Sequence, residues 1–246
     1  MNCPKCQLEQ NDENRECARC GLIFSRYKPL DYHEILKSSY SNESEKLSQS
    51  KHFSDYMLHT KDNVQAVYFA GRLILFVFLL IWSAKFLLCS IESNYVGKSF
   101  MHLVNLPFHE AGHIAFIFTG SVMHSLGGSL GQIIMPLVCM LVLLIKTRDT
   151  FGASIALWWT GESILDIAPY IDDARTLSLR LLGGNTGASA PYGFHDWNFI
   201  LTELNLLKYD HLIARITEAS GKFVIVISLI WALVLLAGQF KKLNSN

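Results

Sequence analysis

His109-Glu110-Ala111-Gly112-His113 sets two imidazoles four residues apart, with a carboxylate beside the first. On a helix, positions i and i+4 share a face, so His109 and His113 can hold one metal ion between them. Glu110 is then placed to act as general base toward a water activated at that point. Residues 103–107 and 114–118 on either side are mostly apolar. Ionisable groups at membrane depth are costly: on insertion scales an aspartate or lysine at the centre of a spanning helix costs about 3 kcal/mol. A zinc ion would supply the partner that these side chains need. The plainer alternative is a pair of helix histidines hydrogen-bonded to their neighbours.

A second set of ligand types opens the chain. Cys3-Pro4-Lys5-Cys6 and Cys17-Ala18-Arg19-Cys20-Gly21 are two knuckles separated by ten residues. Four thiolates brought together in this way make a tetrahedral structural zinc site, and Gly21 permits the tight turn past the last ligand. A pair of disulfides or redox dithiols is the alternative. About 28 residues are too few for a useful apolar core, so bound metal must provide most of the folding free energy. Thiolates that bind zinc must stay reduced, which puts this end in the cytosol. Cys89 and Cys139 lie in apolar runs and read as core residues.

The elements that must position these groups are membrane helices. Half of the 246 residues are hydrophobic, 17% are charged, and the formal net charge is zero. That balance gives no electrostatic case for nucleic acid as a partner. Apolar residues cluster in blocks, at 73–91 with a single lysine, Lys85, and at 223–238 with no charge. Between them lie 126–145, broken by Pro136, and 151–171, which contains Glu162 and Asp166. The histidine segment, about 100–118, is the shortest and most polar, and either spans or re-enters supported by protein. The expected fold is therefore mainly α: a polytopic helical bundle of four or five membrane segments behind a small zinc ribbon. No secretory signal precedes the first apolar run, so that run should be retained as an anchor. The expected setting is the lipid bilayer of a prokaryotic cell membrane, with the ribbon on the cytosolic side.

Three regions follow: a ribbon at 1–28, a polar linker at 29–66, and a membrane metalloprotease-like domain at 67–246. Residues 37–62 are rich in Ser, Glu, Lys and Asn and read as a tether. Residues 172–221 form an extramembrane region with a Gly-rich loop at 183–187. Two amphipathic helices follow it, one capped by Asp196, the other capped by Asp210 and ended by Gly221. Orientation stays open. Lys146, Arg148, Lys241 and Lys242 are all cytosolic if the histidine segment re-enters, whereas a full span puts Arg175, Arg180, Lys208 and Arg215 inside.

A catalytic zinc usually has three protein ligands, so a third must come from elsewhere. Glu162 and Asp166 lie one helical turn apart in an apolar block, which suggests a polar face turned toward the histidines. The histidine motif on a membrane segment, followed two apolar blocks later by Leu165-Asp166, resembles the site-2-protease family of intramembrane zinc metalloproteases. That resemblance implies His109, His113 and Asp166 as zinc ligands and Glu110 as base. It covers about residues 100–170. Ile167 stands where the family has glycine, the Asn and Pro that normally precede its aspartate are missing, and Pro169 follows instead. The same Glu162 to Asp166 spacing also resembles membrane prenyl-protein proteases, which implies Glu162 as third ligand and Asp166 as a histidine-orienting group.

Asp173 and His195 are further ligand candidates. Their plainer readings are a solvated helix end paired with Arg175, and the turn before a capped helix. Residues 127–131 offer exposed backbone for an extended substrate, or else close helix packing.

The function expected on these grounds is an integral-membrane zinc endopeptidase with one catalytic and one structural Zn2+. It would cut a membrane protein substrate and recruit a protein partner through its ribbon. The alternative, from a different class, is a non-proteolytic membrane scaffold or adaptor. A diiron lipid oxidase fits less well, since only one histidine pair occurs in a suitable segment.

Overall fold

The computed structural model describes residues 1–27, 55–60, 64–191 and 194–245, and the chain divides into two units, Met1–Phe53 and Ser54–Asn246. In the first unit two knuckles repeat one geometry. Cys3 N donates to Leu8 O and Gln7 N to Cys3 O, while Cys17 N donates to Leu22 O and Gly21 N to Cys17 O. Each knuckle is flanked by an isolated antiparallel bridge, Asn2 with Glu9 and Glu16 with Ile23.

The second unit is helical, with no β-strand among the described residues. Helix α1 is Ala66–Leu88, α2 Phe100–Ala115, α3 Ser121–Ile145, α4 Thr150–Asp172, α5 Asp196–Glu203 and α6 Asp210–Ser245. Side chains start two of them. Ser99 accepts from His102 N at the head of α2, and Asp149 accepts from Gly152 N at the head of α4. These bonds satisfy donors that a helix start leaves orphaned.

Helix α4 is the axis of the bundle. It packs on α6 and α3, with α1 outside α6 and α2 outside α3, and its polar Glu162, Ser163 and Asp166 are buried with its apolar residues. Among the described residues, three helices are long and apolar enough to cross a membrane: Ala66–Leu88, Ser121–Ile145 and Leu207–Ser245. The expected count of four or five also included α2 and α4. Helix α2, with 16 residues, is only about 24 Å long. Helix α4 has the length, but its surface is spent on neighbouring helices and its buried polar groups on His102 and Asn105 of α2, so its composition departs from that of a lipid-facing span.

Two expectations need correction. Gly221 does not end a helix, because α6 runs through it for 36 residues. It is a glycine because α4 and α6 touch there backbone to backbone. A Cβ on Gly221 would lie 2.7 Å from Leu165 N and 2.8 Å from Gly161 O, and one on Gly161 would lie 2.8 Å from Ile225 N. Residues 127–131 are helical and offer no open edge. Added Cβ atoms on Gly112 and Gly131 would lie 2.0 Å from Gly127 O and 2.3 Å from Phe108 O, so these glycines are where α2 and α3 cross closely.

Most of the expected linker, 29–54 and 61–63, lies outside the described residues, as does residue 28 of the expected ribbon. Residues 55–60 belong to the helical unit. Their carbonyls accept from it at His59 (Thr150 Oγ1, 2.7 Å), Met57 (Trp231 Nε1, 2.9 Å) and Thr60 (Lys242 Nζ, 2.7 Å).

Replacing Gly161 with leucine should force α4 from α6 and cost about 2 kcal/mol by overpacking, outweighing the gain in helix propensity. The check is the thermal unfolding midpoint in detergent. A midpoint at or above that of the parent protein would refute the close-contact account.

Candidate functional site

In the first unit the four thiols converge, with Cys3 Sγ 3.6 Å from Cys20 Sγ and Cys6 Sγ 3.5 Å from Cys17 Sγ. A disulfide needs about 2.05 Å. A tetrahedral ion with 2.3 Å bonds to sulfur separates its ligands by about 3.8 Å, close to what is seen. The four cysteines are free and grouped so that they could hold a metal ion. The backbone amide of Cys20 holds the Cys17 thiol well below the ordinary cysteine range, at about 6. Against the pull of the Leu22 amide, burial and the neighbouring thiols push Cys20 up to about 12, so the grouped thiols give up their protons unequally. Gly21 has φ +66°, as its role after the last ligand demands, and Gln7, its counterpart in the first knuckle, has φ +57°.

In the second unit His109 and His113 lie on one face of α2, with ring centroids 4.9 Å apart. Their Nδ1 atoms are both engaged. His113 Nδ1 lies 2.8 Å from His124 O, a carbonyl that can only accept, so Nδ1 carries the proton. His109 Nδ1 lies 2.8 Å from Gln132 Oε1, and Gln132 Nε2 donates to Ser163 O at 3.0 Å, which fixes the amide with its oxygen toward the histidine. With Nδ1 so engaged, both Nε2 atoms turn to the same point.

The carboxylate at that point is Asp196. Its Oδ2 lies 3.4 Å from His109 Nε2 and 3.4 Å from His113 Nε2. That is long for an N–H···O hydrogen bond, which prefers 2.7–3.2 Å. It matches the ligand-to-ligand edge of a tetrahedral ion with bonds of about 2.1 Å, which is about 3.4 Å. The seat is open because Gly128 forms its floor: a Cβ there would stand 2.4 Å from His109 Nε2 and 2.5 Å from His113 Nε2. His109, His113 and Asp196 thus fit one metal ion. They line a cleft of about 970 Å³, together with the exposed Glu110 carboxylate, His124 and Tyr170.

Asp196 was expected to cap α5. The cap is His195, whose Nδ1 accepts from Asn198 N at 3.2 Å. The Asp196 carboxylate, on the first residue of the helix, is thereby left for the histidines. An anion is also favoured at a helix N-terminus. Helix α5 is fastened by Trp197 Nε1 to Ser129 Oγ (3.1 Å) and Asn198 Nδ2 to Ala174 O (2.7 Å).

The other acidic candidates lie elsewhere. Asp166 is not brought to His109 or His113. Both its oxygens lie 3.0 Å from His102 Nδ1, and Oδ2 accepts from Asn105 Nδ2 at 3.2 Å. Glu162 is fully buried and accepts from the same Asn105 amide at 2.9 Å. Asn105 Oδ1 in turn accepts from Trp159 Nε1 and Ser163 Oγ. Asp173 tethers the loop that follows α4, accepting from Ser178 N at 2.8 Å and Leu179 N at 2.9 Å, with His195 Nε2 3.4 Å away. Burial opposes its ionisation, but those hydrogen bonds and the facing His195 outweigh burial and hold its carboxyl below the ordinary range. Arg175, the partner expected for Asp173, bonds Asp210 instead (2.7 Å).

Asp196, Gln132, His124 and Tyr170 escaped the sequence reading. The one signal was His195-Asp196-Trp197 after a Gly-rich loop, which a helix cap explained equally well. No protein-family model, curated protein or solved structure matches this chain.

Detergent-purified protein should carry two zinc ions by elemental analysis. Asp196→Ala, Gly128→Ala and Cys17→Ser should each retain one, and Asp166→Ala should retain both. Loss of an ion in Asp166→Ala but not Asp196→Ala would return the third ligand to α4. Gln7→Gly relieves a left-handed residue, worth about 1 kcal/mol, and should tighten ribbon metal affinity about fivefold in chelator competition.

Proposed function

We propose that this chain is a membrane-embedded zinc metalloendopeptidase that cuts membrane-associated protein substrates. The observation that carries the reading is the pair of 3.4 Å separations from Asp196 Oδ2 to His109 and His113, with Glu110 beside them on an open cleft. The reading keeps the resemblance to the site-2-protease family at the histidine motif and departs from it at the third ligand, taking Asp196 from α5 in place of Asp166. On this reading α2 and α4 join the three long apolar helices as protein-supported membrane segments, giving a multi-pass protein. The reduced ribbon faces the cytosol, where it holds a structural zinc and recruits a partner.

Zinc, when bound, supplies the Lewis acidity that makes water nucleophilic near neutral pH and takes up charge on a carbonyl oxygen. The chain does the rest. Gln132 and the His124 carbonyl hold the two imidazoles in the ligating tautomer. Glu110 accepts the proton of the attacking water and passes it to the leaving amine. The cleft, walled by α2, α3, the end of α4 and the loop after it, accommodates an unwound segment, since a peptide bond within a helix is shielded by its own hydrogen bonds.

Glu110→Gln should retain two zinc ions and lower the cleavage of fluorescein-labelled β-casein in detergent micelles by at least 100-fold. Equal cleavage by parent and variant would overturn the assignment of Glu110. A parent protein that holds both ions and cleaves neither casein nor co-expressed membrane proteins would overturn the protease reading in favour of the adaptor.

A further inference from the structure

Tyr170 sits near the C-terminal end of α4, between the ligand candidates Asp166 and Asp173. Its hydroxyl makes two contacts with one residue. It donates to Asp196 Oδ2 at 3.2 Å and accepts from the backbone N–H of Asp196 at 3.0 Å. The N–H belongs to the first turn of α5, where a helix has no acceptor of its own to offer. The oxygen is the one that stands 3.4 Å from both imidazoles. Donation from the phenol occupies one lone pair of Oδ2 and leaves the other directed at the seat between the histidines.

The ring is held as firmly as the hydroxyl. It packs on His195, the residue that caps α5, with centroids 4.3 Å apart, and lies 6.3 Å from the His109 ring. Asp196 is separated from the histidine pair by α3, α4 and the loop after α4, so its carboxylate has no local reason to point at α2. Tyr170 supplies that reason from a rigid helix.

We infer that Tyr170 is the positioning residue of the metal centre: its hydroxyl fixes both the backbone and the carboxylate of Asp196, and so sets the affinity of the site. This rests on reading His109, His113 and Asp196 as a metal site, and it does not depend on whether the protein cleaves anything. Without the hydroxyl, the Asp196 N–H loses its acceptor and the carboxylate is free to rotate toward water. Partners of this kind typically contribute 10–100-fold in metal affinity.

The test uses full-length protein in detergent, titrated with Co2+ against a chelator, comparing the parent with Tyr170→Phe. The ring volume is kept and only the oxygen is lost. The second equivalent of Co2+ should bind about 10–100-fold more weakly to Tyr170→Phe. Its visible bands should shift, while the ribbon equivalent is unchanged. Thermal melting in excess chelator should be the same for both proteins.

Equal affinity and an unchanged spectrum for the second equivalent would overturn the role of Tyr170 and leave the metal site standing. An affinity loss accompanied by an equal loss of metal-free stability would reduce Tyr170 to a packing residue, which also overturns the proposal. A parent protein that takes up no second equivalent would overturn the metal site itself, and the role of Tyr170 with it.

Discussion

Two imidazole Nε2 atoms and one carboxylate oxygen are directed at a single point that a cation fits. Most of the second unit is arranged to produce that convergence. Each histidine gives up Nδ1 to a carbonyl oxygen, one on Gln132 and one on the backbone of His124. His124 returns the contact through its own Nδ1 to His113 O at 2.9 Å, so the end of α2 and the start of α3 are tied reciprocally. An ion bound among these three atoms would relieve the cost of holding them together. The arrangement therefore fits a metal ion as well as it fits packing.

Glycine makes the convergence sterically possible. The closest approach of α2 to α3 is at Gly112, Gly127 and Gly131, and the space between the Nε2 atoms exists because Gly128 has no side chain. A second backbone contact, Gly161 with Gly221, seats α6 on α4. Apolar helices in a bilayer gain little from hiding apolar surface, so close packing and interhelical hydrogen bonds carry their association. The glycine crossings and the Asn105, Glu162, Ser163 and Asp166 network serve those two needs. Glu162 and Asp166 are accordingly engaged without any metal, although Glu162 Oε1 has no partner among the described residues.

The legible part of the site was local. His109 and His113 share a face because four residues is about one helical turn, and no tertiary contact can alter that. Cys3, Cys6, Cys17 and Cys20 likewise declare themselves by spacing, and Gly21 was readable as a left-handed turn because that conformation suits glycine best. Asp196 was not legible. It lies 83 residues beyond His113 in the chain, and its type and position matched a helix cap as well as a ligand. Asp166 was misleading for the converse reason: its burial cost was read correctly, but the partner that meets it is His102.

A mainly helical chain with long apolar segments, a cysteine cluster at the start and a histidine pair on one helix face could all be read from the residues alone, because each follows from composition or from the spacing of ligand types along a short stretch of chain. The packing of the helices settles which carboxylate joins the histidines, that Gly128 leaves the seat open, that Gly221 marks a helix crossing rather than a helix end, and that Tyr170 meets Asp196. Those outcomes depend on where separate helices meet. The meeting points are set by backbone contacts at glycines and by hydrogen bonds between residues far apart in sequence, which no local pattern encodes.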